Sequence, residues 1–404
     1  MPQKESSKSE PSQQERNADY VPLPSPAALR AAPPPLSHSW ERGGGRGRGE
    51  GLPLLLAATL LFVLACRLVP STVTPTPPTT SIVLEATPLP QAPPDSGFAV
   101  DADTLPEAPR YQIDLVVDPE AAQVVGRQAI RYTNAETIAL DEVILRLFPN
   151  TPGYGGAMTV AHVRIDGAPV SPTSELEGSA LHLPLTTPLA PGEMVTLTLD
   201  FTVTVPTAPN TGYAQLSTVG GVTALANVYP LIPVYDEEGW NAEIAPPYGD
   251  AVTSDVAFYT VDVTAPPRLD LAASGSCTES DPGAWQCAGG PMRDFVLVLG
   301  GEYERASQEI AGTLVNSYYY PDHTESGEWV LQVAANAFAT FSDLFGAYPY
   351  AEFDVVETPT SAGGIEYPGL VVISERLYGG QGGTAEWVVV HEVAHQWWYG
   401  LVGN

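Results

Sequence analysis

HEVAHQWWYG, residues 391–400, sets two histidines four positions apart with a glutamate directly after the first. On a helix, positions four apart lie on one face about one turn from each other, so His391 and His395 aim their imidazoles at a common point. Two converging ring nitrogens make a metal clamp. Zinc takes neutral imidazole, and a catalytic zinc site leaves one position open for water. Glu392 stands beside that position, where a carboxylate can accept a proton from water and pass it to a leaving amine. The chemistry implied is Zn2+-dependent hydrolysis of an acyl bond, with His391 and His395 as metal ligands and Glu392 as the catalytic base. The competing reading is an ordinary internal helix in which Val388, Val389, Val390, Val393, Ala394 and Trp398 pack and the histidines merely find hydrogen bonds.

Outward from this motif the pattern is mixed α and β. ESGEWVLQVAANAFATFSDLFGAYPY, residues 325–350, places Val330, Val333, Ala337, Phe341, Leu344 and Phe345 on one helical stripe, which Gly346 and Pro349 end. FDVVETP (353–359) reads as a strand, and SAGGIEYPGLVVIS (361–374) as a glycine-rich turn entering another. Before residue 306 no helical period stands out. YQIDLVVD, QVVGRQAIRYTN, EVILRLFP, MVTLTLDFTVTV, VAFYTVDVTA and RDFVLVLG alternate or run apolar between Pro, Gly, Asn and Asp. The expected organisation is α+β: an antiparallel β saddle or sandwich over 108–305, then a mixed α/β domain over 306–404.

The chain has 404 residues, 44% hydrophobic and 16% charged, enough for two or three domains. Its net charge is −30, and residues 1–50 carry seven Lys or Arg against six Asp or Glu, so the acidity lies in the remainder. Such a body lacks the basic patches that phosphate backbones require, which excludes nucleic acid as an expected partner. Residues 1–50 are polar and rich in Ser, Pro and Gly, a composition of disorder. The segment 51–69 holds the uncharged run Leu52–Cys66, short for a spanning helix and suited to a signal core, with Arg42, Arg46 and Arg48 on its cytoplasmic side. Two outcomes stand open: a lipid on Cys66 after a lipoprotein-like Val63-Leu64-Ala65-Cys66 box, or an uncleaved anchor over 52–69. Either tethers the protein to a membrane, facing outward. Residues 70–107 form a Thr/Pro-rich linker that would hold a domain off that surface. Cys277 and Cys287 flank the turn-rich TESDPGAWQ, where they either close a hairpin as a disulfide or stand as free thiols.

GGIEYPG at 363–369, ahead of HEVAHQWWYG, makes the chain resemble the aminopeptidase N family of zinc metallopeptidases, the gluzincins. The resemblance extends over about 108–404 and includes YPLIPVYDEEGW, MRDFVLVLG and FGAYPYAEFDVVE. It implies a β-rich saddle followed by the start of a thermolysin-like catalytic domain, and peptides as substrates. Gly363 and Gly364 would then form the backbone edge on which a peptide adds as a strand, and Glu366 would hold the substrate's free α-amine. Ile365 and Tyr367 depart from the family's usual Met and Asn, the second bearing on strict aminopeptidase specificity. The family's third zinc ligand, a glutamate, and its oxyanion tyrosine lie on later segments, so the chain is expected to be the amino-terminal part of a longer protein. The alternatives are a non-catalytic cell-surface relative that binds peptide without cutting it, and a surface protein whose β domain is the functional part.

Overall fold

The computed structural model describes residues 99–208, 212–244 and 254–403. The polar region 1–50, the expected anchor or lipid site at 51–69 and most of the 70–107 linker lie outside the described residues. No helix among the described residues is long and apolar enough to cross a membrane. The last part of the linker is structured: Ala99 N–H donates to the Gly290 carbonyl at 2.8 Å, and Asp101 caps a 3₁₀ turn over Ala102–Thr104.

The molecule is mostly sheet. Period-two alternation puts Tyr111, Ile113, Leu115 and Val117 of the strand Arg110–Asp118 on the buried face. Asp118 then accepts from the N–H groups of Glu120 and Ala121, forming the turn into Gln123–Thr133. These two strands sit in an eight-stranded sheet whose spatial order runs Ser276–Asp281, Ala284–Met292, Ala257–Thr264, Arg110–Asp118, Gln123–Thr133, Met194–Thr204, Ala157–Ile165, Ala168–Pro169. Expectation and structure part at one pairing: Arg110–Asp118 runs parallel to Ala257–Thr264, with Tyr111 opposite Tyr259, inside an otherwise antiparallel sheet. Alternation within a strand marks its buried face but carries no information about which distant strand lies beside it. Cys277 and Cys287 are directly opposed on neighbouring strands and form a disulfide.

A three-stranded sheet shares the same core, Val143, Leu145 and Leu183 packing with Ile113 and Leu197. A close approach there needs a glycine. A Cβ on Gly126 would fall 2.1 Å from the Phe201 ring, so this position of the strand Gln123–Thr133 can carry no side chain without displacing that ring.

The second sheet has the order Glu304–Ile310, Thr313–Tyr319, Glu352–Thr358, Leu370–Ser374, Gly364–Tyr367. Its three central strands are parallel, and Leu370–Ser374, LVVIS, is buried along its whole length and reads as an apolar run. Phe353, Val355, Val371 and Ile373 face helix α1 (Thr324–Phe345) and helix α2 (Thr384–Ala394). Val356, Leu370 and Val372 pack with Val222, Ala272 and Val298 of a four-stranded sheet and with Val296 just ahead of it.

Helix α1 buries Val330, Leu331, Ala334, Ala337 and Phe338, while Leu344 and Phe345, read as part of its apolar stripe, are exposed. The last turn runs past the edge of what the sheet and α2 cover.

Candidate active site

Helix α2 carries His391 and Glu392, and His395 is its C-cap in helical conformation (φ −63°, ψ −15°), so the i, i+4 geometry is kept. The Nε2 atoms of His391 and His395 stand 3.2 Å apart. The Nδ1–H of His395 donates to the Trp398 carbonyl at 3.0 Å, which leaves its Nε2 lone pair for a ligand. His391 stacks on Trp387 at 5.0 Å. Partial desolvation, then the neighbouring His395, lowers the His391 pKa, which favours the neutral state that ligates metal.

These residues fit zinc. Two nitrogens about 2.0–2.1 Å from one tetrahedral ion lie roughly 3.3–3.4 Å from each other, close to the separation observed. The carboxylates gathered around the pair add the negative charge that a divalent cation needs. One oxygen each of Glu366 and Glu392 and a nitrogen of His395 lie within 4.8 Å of one another. Glu366 Oε1 is 3.5 Å from His395 Nε2, and Glu392 is buried, its stem packed against Gly364.

Gly363 and Gly364 lie where the chain enters the strand Gly364–Tyr367, which pairs antiparallel with Leu370–Ser374, Glu366 opposite Val371. Among the described residues this strand ends the order of its sheet. The space at Gly364 is already filled from within: a Cβ there would come 2.5 Å from Glu392 Cγ, and one on Gly363 would meet Val388 at 3.4 Å. Glycine at 364 thus lets α2 lie against the strand with its carboxylate at the site.

Behind Glu366 lies Asp294, a residue the sequence did not single out. It is 1% exposed and, among the described residues, its Oδ1 has no hydrogen-bond partner. Burial, with the Glu366 carboxylate second, raises its pKa to about 7. Tyr367 is buried, and that burial first, then the Asp294 carboxylate, holds its hydroxyl pKa well above the ordinary value. A lone acidic residue before the apolar run FVLVLG was the visible sign of Asp294. Its role depends on a contact across more than 70 positions of chain.

No family model matches the chain. Among solved structures it is similar to the M1 zinc metallopeptidase of Deinococcus radiodurans, with TM-score 0.48 and 20% identity over 72% of this chain and 65% of that one. A mutant of that enzyme gives TM-score 0.49 with the same identity and coverage. A two-domain M1 zinc metallopeptidase mutant bound to L-arginine gives 0.48 at 20% identity, covering 73% and 66%. The chain thus spans about two thirds of the length of the structures it matches.

Proposed function

We propose that the protein is a zinc metallopeptidase of the aminopeptidase N type, removing residues from the amino termini of peptides. The observation that carries this reading is the 3.2 Å convergence of two imidazole nitrogens beside the carboxylates of Glu392 and Glu366. His391 and His395 would hold the ion, which when bound polarises the scissile carbonyl and makes water acidic enough to attack at neutral pH. The outer edge of Gly364–Tyr367 aligns the peptide backbone. Glu392 takes the proton from the attacking water and delivers it to the departing amine. Glu366 pairs with the substrate ammonium, so a peptide is registered by its first residue and cut after it. The Leu52–Cys66 run and the linker that follows support a membrane-tethered protein facing outward.

Glu392→Gln should keep zinc and lose peptide hydrolysis, whereas His395→Ala should lose the metal, as read by plasma emission. Glu366→Ala should cost more on peptides with free amino termini than on acetylated ones, because a neutral amide gains nothing from a carboxylate. Near wild-type turnover by Glu392→Gln would sink the assignment. Equal losses on both peptide types would point instead to an endopeptidase.

A further inference from the structure

Gln396 follows the second histidine and is 1% exposed. Its side-chain amide makes three hydrogen bonds. Oε1 accepts from the Tyr348 hydroxyl at 2.7 Å and from the Gly369 N–H at 3.0 Å, and Nε2 donates to the Tyr367 carbonyl at 2.9 Å. The amide orientation is fixed by its partners, since a backbone N–H only donates and a carbonyl only accepts. One side chain just past the C-cap of α2 thus holds the Tyr367–Leu370 turn that closes the strand Gly364–Tyr367.

Among the described residues, that strand has backbone pairing on one side, with Leu370–Ser374. Sliding or tilting it would move Glu366 relative to the histidines. The Gln396–Tyr367 bond joins the immediate chain neighbours of His395 and Glu366, the two groups that approach to 3.5 Å. Tyr348, the third partner, is anchored in the aromatic cluster of Phe338, Phe353 and Trp397. The tie therefore has a rigid footing.

We propose that Gln396 is a positioning residue: it sets the register between the metal-binding helix and the edge strand, and so fixes where Glu366 meets the substrate's ammonium group. This rests on the peptidase reading for its substrate, while the register itself can be measured without turnover.

The test uses Gln396→Met, which keeps the volume and removes all three bonds, and Gln396→Glu, which keeps the two acceptor contacts and in its ionised form loses the donor to Tyr367. Both are made in the full-length protein. With leucine p-nitroanilide, each variant should raise KM about three- to tenfold, the range that one buried hydrogen bond supplies, with kcat changed less than about threefold. Discrimination against N-acetyl-leucine p-nitroanilide should fall by a similar factor, and zinc content should stay at the wild-type value. Amide hydrogen exchange should quicken at residues 364–369 in both variants and stay unchanged over 384–394.

Equal losses on the two substrates, or exchange that quickens across both segments, would overturn the proposal in favour of general loosening. So would unchanged kinetics and exchange. If Gln396→Met does not fold, Gln396→Glu decides. If the wild type cleaves neither substrate, the peptidase reading fails while the exchange pattern still decides whether Gln396 sets the register.

Discussion

Replacing Asp294 by Asn should remove a pH dependence of stability that the wild type carries. An aspartate has an ordinary pKa of 3.8, and burial beside Glu366 lifts this one to about 7. Between those values the folded protein holds a proton that the unfolded chain has lost. Stability contributed by that proton is therefore complete below pH 3.8, falls as pH rises, and is gone above about 7. Each pH unit in the window is worth about 1.4 kcal/mol, so the whole span amounts to roughly 4 kcal/mol. From pH 5 to pH 7.5 the stability of Asp294→Asn relative to wild type should climb by about 2–3 kcal/mol. Burying the Asn amide adds an offset of roughly 1–3 kcal/mol, but that offset does not vary with pH. Urea unfolding of both proteins, followed by tryptophan fluorescence at pH 5, 6, 7 and 8, measures the difference directly. A gap that stays constant over the series would show that Asp294 is ionised throughout, and the account of its burial would fail. Glu366→Gln should lower only the upper end of the window, because its charge is the smaller cause.

Gly364→Ala drives a methyl group to 2.5 Å from Glu392 Cγ, and should cost at least about tenfold in kcat/KM with zinc retained, since the displaced group is the base. Kinetics beside metal analysis checks it. Gly126→Ala should destabilise the fold by about 1–3 kcal/mol through the Phe201 ring, and Phe201→Leu should restore part of that loss, both read by thermal denaturation. Cys277→Ser opens a disulfide whose cysteines are 10 positions apart, which should lower stability by about 2–3 kcal/mol in oxidising buffer and by nothing in reducing buffer.

What could be read from the sequence was local. His391, Glu392 and His395 follow from helical spacing, whereas Glu366 was pointed to only by the resemblance that GGIEYPG carries. Cys277 and Cys287 sit at the two ends of one hairpin, so their pairing needed no long-range knowledge. Gln396 and Asp294 escaped because their weight comes from partners such as Tyr348 and Glu366, which only the folded chain brings near. The end of α1 misled for a related reason: Leu344 and Phe345 keep the apolar period of the buried turns, yet periodicity cannot say where the neighbouring surface stops. Trp397 and Trp398 make the same point from adjacent positions, one 4% and the other 47% exposed.

The parallel pairing of Arg110–Asp118 with Ala257–Thr264 also has a meaning in time. Tyr259 follows its partner Tyr111 by 148 positions, so one edge of the first strand stays open until that much more chain has been made. At about 5–20 residues per second a ribosome needs roughly 7–30 s to supply it. Throughout that interval Tyr111, Ile113, Leu115 and Val117 belong to a sheet with a bare, apolar border, the kind of border that recruits strands from other chains. The slowest closure in the eight-stranded sheet is thus set by the order in which the message is read, and nascent chains stalled before residue 257 should be the ones that need a chaperone to stay soluble.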